Sequence, residues 1–323
     1  MRVLLNCIYM GMGLVSPTKC CLRWKPCRVP LEKRSRALSL IYSGHQIGSI
    51  LSLLISPFLL NSGGAPLLFS VYGSLGFVWL LAWHPLVQAD PQHQQLGINK
   101  DKGQLGPASP VPSLSDVPLA RFCRSKAVWA IAIAHSNFGN TYSIIIAWLP
   151  TFYSETLGLD MKHSAWCSIL PWAAMAAGTL TSGYIADKLI AAKNLNTSQV
   201  RKLLQSLGCC GPAACFLYLA CSPSKGSLHG AVLSLSLAMG LLGLQAGGFG
   251  SNHQDIAAAR IAPILFGITS FCASMVGSVG VLMVGRVLDV FHSWSMAFFA
   301  IASINLATAF LFHRLSSSDL QFE

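Results

Sequence analysis

Charge is scarce in this chain. Asp, Glu, Lys and Arg make up 10% of the 323 residues, where a soluble domain carries about 25%. So few charges cannot cover a water-facing surface, and a soluble globular class is excluded. Metal-ligand spacing is missing as well. The 11 cysteines include Cys20-Cys21 with Cys27, and Cys209-Cys210 with Cys215, but no paired C-x-x-C. Those lying in apolar runs read as small packing residues rather than zinc ligands. No phosphate-binding loop, nucleophile elbow or H-E-x-x-H motif occurs. Gly247-Gly248-Phe249-Gly250 follows an apolar run and precedes no strand–helix unit. No two ionisable groups are placed for acid–base work. The expectation is a protein that is not an enzyme, with no cofactor and no metal.

What is present is apolar sequence: 53% of the residues are hydrophobic. A run of about 20 apolar residues spans a bilayer as a helix. Such runs recur at 37–60, 65–83, 127–149, 165–185, 203–221, 228–250, 261–285 and 295–312, with a shorter one at 3–15. The prediction is an all-α, multi-pass transmembrane helical bundle of about nine segments. Arg2 followed by 3–15 also has the look of a secretory signal, but no small-residue cleavage pattern precedes the basic cluster, which favours a helix.

The excess of basic residues, a net charge of +11, sorts by loop. If the loop after residue 15 is cytoplasmic, every Lys and Arg except Arg2, Lys162, Lys225 and Arg286 falls on the cytoplasmic side. That is the positive-inside pattern. It points to a lipid bilayer rather than nucleic acid as the partner. The cluster from Lys19 to Arg36 also suits anionic headgroups. The longest connection, 85–125, holds Pro107, Pro110 and Pro112 and no apolar periodicity, and reads as a flexible cytoplasmic linker.

The chain is organised around 126–188. The apolar run 127–149 carries His135, Asn137, Asn140 and Thr141 in its interior, and Leu149-Pro150-Thr151-Phe152-Tyr153 reads as a turn. Asn137, Asn140 and Thr141 follow i, i+3, i+4 and share one face. Such a face either lines a cavity or joins helices. The run 37–60 offers Tyr42, Ser43, His45 and Ser49. His45 and Ser49 are four apart on one face, and a histidine there either couples protons or packs against a neighbour. Gln245 is a further candidate, as are Thr269, Ser270 and Ser274. None of the predicted segments has an acidic residue, Lys or Arg in its central turns.

At the basic loop and the helix after it, the chain begins to resemble a known family. Gly11-Met12-Gly13, Arg34-Ser35-Arg36-Ala37-Leu38-Ser39-Leu40, Tyr42-Ser43-Gly44 and Ser56-Pro57 resemble the fourth and fifth helices of the anion:cation symporters. These are major facilitator superfamily members that include sodium/phosphate cotransporters, vesicular glutamate transporters and plant plastid anion transporters. Trp148-Leu149-Pro150-Thr151-Phe152-Tyr153, Leu170-Pro171-Trp172, Gly183-Tyr184-Ile185-Ala186-Asp187, Ser251-Asn252-His253-Gln254-Asp255-Ile256-Ala257 and Gly267-Ile268-Thr269 continue the likeness, closest to the plastid branch. The chain departs from the pattern at Leu14, where the family has Glu, and at Ala258-Ala259-Arg260. It also lacks the Arg that animal members place in the region of His135 to Asn140.

The resemblance implies an incomplete major facilitator fold with helices one to three missing. Residues 1–84 are then a remnant of the N-terminal bundle, 85–125 the linker, 126–314 a complete six-helix bundle, and 315–323 a cytoplasmic tail. It further implies secondary transport of a small anion, inorganic phosphate or organic, driven by Na⁺ or H⁺ through alternating access, with a plastid membrane as the location. The alternative is a truncated, non-transporting product that misfolds or modulates a full-length transporter. Gly183, Asp187 and Lys188, with Arg201 and Lys202, resemble the superfamily's cytoplasmic turn and are expected to form a gating latch. Asp187 would pair with Arg201 or cap a neighbouring helix. Asn252, His253 and Asp255 are expected at the same end.

Overall fold

The computed structural model describes residues 34–88, 119–193, 195–221, 228–258 and 261–322. The expected short segment 3–15, the basic residues 19–33 and most of the expected linker lie outside these. The described chain is helical: α1 (Arg34–Gln88), α2 (Leu119–Arg124), α3 (Lys126–Leu157), α4 (Met161–Ala191), α5 (Thr197–Cys221), α6 (Leu228–Leu242), a 3-10 turn (Gly243–Ala246), α7 (Phe249–Ile256), α8 (Ala262–Phe291) and α9 (Trp294–Leu315). By length and apolar composition, the stretches Ser35–Ala82, Thr197–Cys221, Leu228–Ile256, Ala262–Phe291 and Trp294–Leu315 are each able to cross a membrane. α3 and α4 are long enough too. Their His, Asn, Thr, Ser and Gly content dilutes the apolar signal, and neighbouring helices cover the polar side chains.

Two compact units divide the chain, and α1 runs through both. One unit holds residues 34–54 and 119–322 of the described chain, the other 55–88. In the smaller unit the helix breaks at Gly63 and Gly64. Gly64 has φ 65 and ψ −163, a conformation open to glycine alone. The expected segments 37–60 and 65–83 are therefore the two arms of α1, and Ser56 Oγ and Tyr72 OH, 2.9 Å apart, join them.

In the larger unit, Ser125 caps α3 by accepting from Val128 N at 3.3 Å. Gly158, at φ 67, ends it. The expected turn at Leu149–Tyr153 is absent, because α3 continues through Pro150 to Leu157. The reason is packing: Phe152 and Tyr153 are buried in the core with Trp172, Met175, Phe216, Leu235 and Phe298. A proline within a membrane helix is tolerated where neighbours repack around it. α3 packs on α8 and α9, α5 on α9, and α4 on α6. The membrane element Leu228–Ile256 is itself broken, with α6 and α7 meeting at Gly247 and Gly248.

α2 forms inside the expected linker, and the tail runs back to the end of α7. Ala257 pairs with Phe322 as a single parallel bridge, and Gln321 N and Phe322 N both donate to Ile256 O. Phe322 is 2% exposed and meets Phe122 edge-on, with centroids 4.8 Å apart. Arg121 closes the contact by donating to Gln321 O at 3.0 Å.

Candidate functional site

The end of the bundle that holds the α4–α5 loop carries the buried charged groups Asp187 and Arg201. Asp187, 2% exposed, accepts the backbone N–H groups of Ser35 at 3.1 Å and Arg36 at 3.0 Å. The Arg36 guanidinium lies 3.6 Å from the same carboxylate and over the Tyr184 ring. Asp187 is thus a cap on α1 supplied from another helix, occupying the site where orphan N–H groups and the helix dipole favour a negative charge. Gly183 makes the approach possible. A Cβ there would run into Ser39 Oγ and sit 2.6 Å from Ser35 O.

Of the two roles expected for Asp187, the structure gives it the cap and gives Arg201 to another acid. Arg201, 3% exposed, bonds Asp255 through Nε at 2.7 Å and Nη2 at 3.4 Å. Its Nη1 also donates to Ser35 Oγ and to Gly247 O. One guanidinium therefore ties α5, α7, the α6–α7 break and the start of α1. Lys188 is exposed and Lys202 half-buried, and among the described residues neither joins this network. Asn252 is bonded to the tail, through Ser317 O at 3.1 Å and Ser318 Oγ at 2.9 Å.

The polar stripe of α3 divides. Asn137 Nδ2 donates to Asn305 Oδ1 at 3.0 Å, and Asn305 Nδ2 donates to Thr141 Oγ1 at 3.1 Å and to Ile301 O. All three residues are buried, so this part of the stripe binds α3 to α9. Asn140 is buried against α8 at Gly280. Gln245 bonds Gln205 at 2.9 Å and Gly208 O at 2.7 Å, and Gln205 Oε1 accepts Phe249 N. Gln205 thus gives an acceptor to the backbone at the α6–α7 break, and Gln245 gives a donor to Gly208 O, the α5 carbonyl that Pro212 leaves without its helical partner. Asn305 and Gln205 carry no mark in the sequence. Each is a lone amide in its run, and nothing local reveals its partner.

His135 lies apart from its neighbours on the stripe. Its Nδ1 is 3.0 Å from Thr269 Oγ1, and the same hydroxyl is 2.9 Å from His253 Nε2. Phe249 and Phe266 pack against both imidazoles. α1 lies on this face. Tyr42 stacks on Phe266, the His45 ring is 5.0 Å from Tyr142, and Ser49 Oγ is 3.5 Å from Tyr142 OH. Ser43 points its hydroxyl to its own helix, at Leu40 O. The structure thus brings His45 and Ser49 to Tyr142 and Tyr42 to Phe266, joins His135 to His253 through Thr269, and sets Asn137, Asn140, Thr141 and Gln245 among helix contacts. Two half-buried histidines, His45 and His135, with tyrosine and serine hydroxyls, make a face able to bind a polar ion.

Comparison with known proteins agrees with this architecture. Residues 27–281 match the Major Facilitator Superfamily. The chain is 32% identical over 292 residues to "Probable anion transporter 5, chloroplastic" of Oryza sativa subsp. japonica, covering 84% of this chain and 61% of that protein. It is 30% identical over 295 residues to "Sodium-dependent phosphate transport protein 1, chloroplastic" of Arabidopsis thaliana, covering 90% and 56%. The chain therefore spans about three fifths of the length of these relatives. Among solved structures, the proton:xylose symporter XylE superposes with a TM-score of 0.63 at 14% identity, covering 91% of this chain and 67% of that one. This is a multi-pass membrane protein whose relatives are transporters, and the chain belongs to the Major Facilitator Superfamily, within its anion:cation symporter family.

Proposed function

We propose that this chain carries out secondary transport of an anion, inorganic phosphate or an organic acid anion, driven by a Na⁺ or H⁺ gradient. The observation that carries the reading is the face where Tyr42 of α1 stacks on Phe266 of α8, which also packs on His135, and where His45 and Ser49 of α1 meet Tyr142 of α3. In a superfamily that works by rocking one bundle against another, a polar face between residues 34–54 of α1 and the helices α3 to α9 is the place for substrate. The network of Gly183, Asp187, Arg201 and Asp255 at one end is the gating latch. It holds α1 closed on α4 and α5, and it must open for the face to reach that side of the membrane. Asn137, Asn140, Thr141 and Gln245 hold the wall of the pathway in place without touching substrate. A plastid membrane suits the names that the plant relatives carry.

The reading is tested by placing a single reporter thiol on the face. In a chain with its own cysteines replaced, Ser49→Cys should react with a small thiol reagent and be protected by the transported anion. Lys193→Cys, exposed in the α4–α5 loop, should react without protection. Equal protection at both positions, or at neither, would count against the site.

A further inference from the structure

The His135–Thr269–His253 cluster is built to hold either of two protonation states. His253 Nδ1 is 3.1 Å from Phe249 O, an acceptor, so that nitrogen carries a proton. In neutral His253, Nε2 is then an acceptor, and among the described residues the Thr269 hydroxyl, at 2.9 Å, is the donor that reaches it. Thr269 Oγ1 in turn accepts Nδ1–H of His135 at 3.0 Å. The hydroxyl also has a second acceptor, Phe266 O at 3.1 Å. When His253 is protonated on both nitrogens, Thr269 Oγ1 accepts from its Nε2–H and turns its own proton to Phe266 O or to His135 Nδ1. No heavy atom need move.

Resting on the transport reading above, we infer that H⁺ is the coupling ion, that it binds at this histidine–threonine–histidine relay, and that the imidazolium so formed is the counter-charge of the transported anion. The proton balance closes. One proton adds to Nε2 of half-buried His135, the Nδ1–H of His135 passes to Thr269 Oγ1, and the proton of Thr269 passes to Nε2 of buried His253. Two bonds break, three form, and one positive charge is gained.

The surroundings explain why an anion follows. Arg201 of α5 is committed to Asp255 of α7, Arg36 of α1 pairs with Asp187 of α4, Asp319 of the tail accepts from Ser317, and Tyr42 of α1 stacks on Phe266. Among the described residues, no carboxylate, Lys or Arg bonds to either imidazole. A charge gained there has no fixed partner, and an anion supplies one. Proton and anion then each raise the affinity for the other by the same factor.

The test needs no knowledge of the natural substrate. Histidine side-chain nitrogen NMR of the purified full chain in nanodiscs should show His135 and His253 titrating with one shared midpoint. Thr269→Val should split it, and Thr269→Ser, which keeps the hydroxyl, should restore it. Independent midpoints in the wild type, or Thr269→Val identical to wild type, would overturn the relay. In liposomes, phosphate uptake by the wild type should follow an inward pH gradient at clamped potential and fall about tenfold in Thr269→Val. Uptake driven by Na⁺ at equal pH, and unchanged in Thr269→Val, would overturn proton coupling while leaving anion transport standing. No uptake of phosphate or of a panel of organic anions under either gradient would overturn the transport reading, and the counter-charge role with it.

Discussion

Asp187 and Arg36 lie 151 positions apart, yet the carboxylate of one accepts the backbone N–H of the other at 3.0 Å. The same carboxylate takes the N–H of Ser35 as well. One side chain of α4 thus completes the first turn of α1. Because the contact is made to backbone, the identity of residues 35 and 36 matters less than the presence of an acceptor at 187. Asp187→Ala should cost about 1–2 kcal/mol, the scale of a lost cap. It should also raise the labelling rate of a buried Ser35→Cys reporter by an impermeant maleimide several-fold. Asp187→Asn, which keeps one acceptor oxygen, should fall between.

Arg201 and Asp255 form the more costly pair to break. Both are largely buried, so removing one partner strands a charge, a loss of about 3–5 kcal/mol. Arg201→Met and Asp255→Ala should each lower the thermal midpoint in detergent sharply. The double variant should lose much less than the sum, because no unpaired charge remains. Additive losses would mean that Arg201 acts mainly through Ser35 Oγ and Gly247 O.

The stripe on α3 predicts a separation of stability from substrate affinity. Asn305→Ala removes the partner of both Asn137 and Thr141 and should destabilise by about 1–3 kcal/mol. Its KM for the transported anion should stay within about twofold of wild type, since buried interhelical amides act as glue. Tyr142→Phe removes the hydroxyl near Ser49 and should change KM with little effect on the thermal midpoint.

The tail predicts a local effect. Phe322 is buried against Phe122, and trimming a buried aromatic to Ala costs about 3–5 kcal/mol where the site is fully packed. Phe322→Ala should therefore release residues 317–322 to exopeptidase digestion at a much higher rate. The core packing of Trp172, Phe216 and Met239 should be untouched, read as an unchanged slow phase of hydrogen exchange.

The sequence made the helices legible because a bilayer demands long apolar runs, and eight such runs correspond to the two arms of α1 and to α3, α4, α5, α6 with α7, α8 and α9. It misread Pro150 as a turn, since the burial of Phe152 and Tyr153 that carries the helix through is a tertiary fact. It marked Asn137, Asn140 and Thr141 as polar and on one face. It could not say that Asn305, 164 positions beyond Thr141, would meet them. The sequence marks His135 and His253 for different reasons, and Thr269 as a weaker candidate. That one hydroxyl joins the two rings follows from how α3, α7 and α8 converge, which no local pattern encodes. The order in α2 and the tail was illegible for the same reason: each is held by the other.

The most direct measurement of the central claim is gradient-driven uptake by the purified full chain in liposomes. Labelled phosphate and a panel of organic anions are presented under an inward H⁺ or Na⁺ gradient, with a protonophore or Na⁺ ionophore as control. The account predicts that at least one anion accumulates above its equilibrium level and that collapsing the gradient releases it. Vesicles indistinguishable from protein-free ones, for every anion and both gradients, would contradict it.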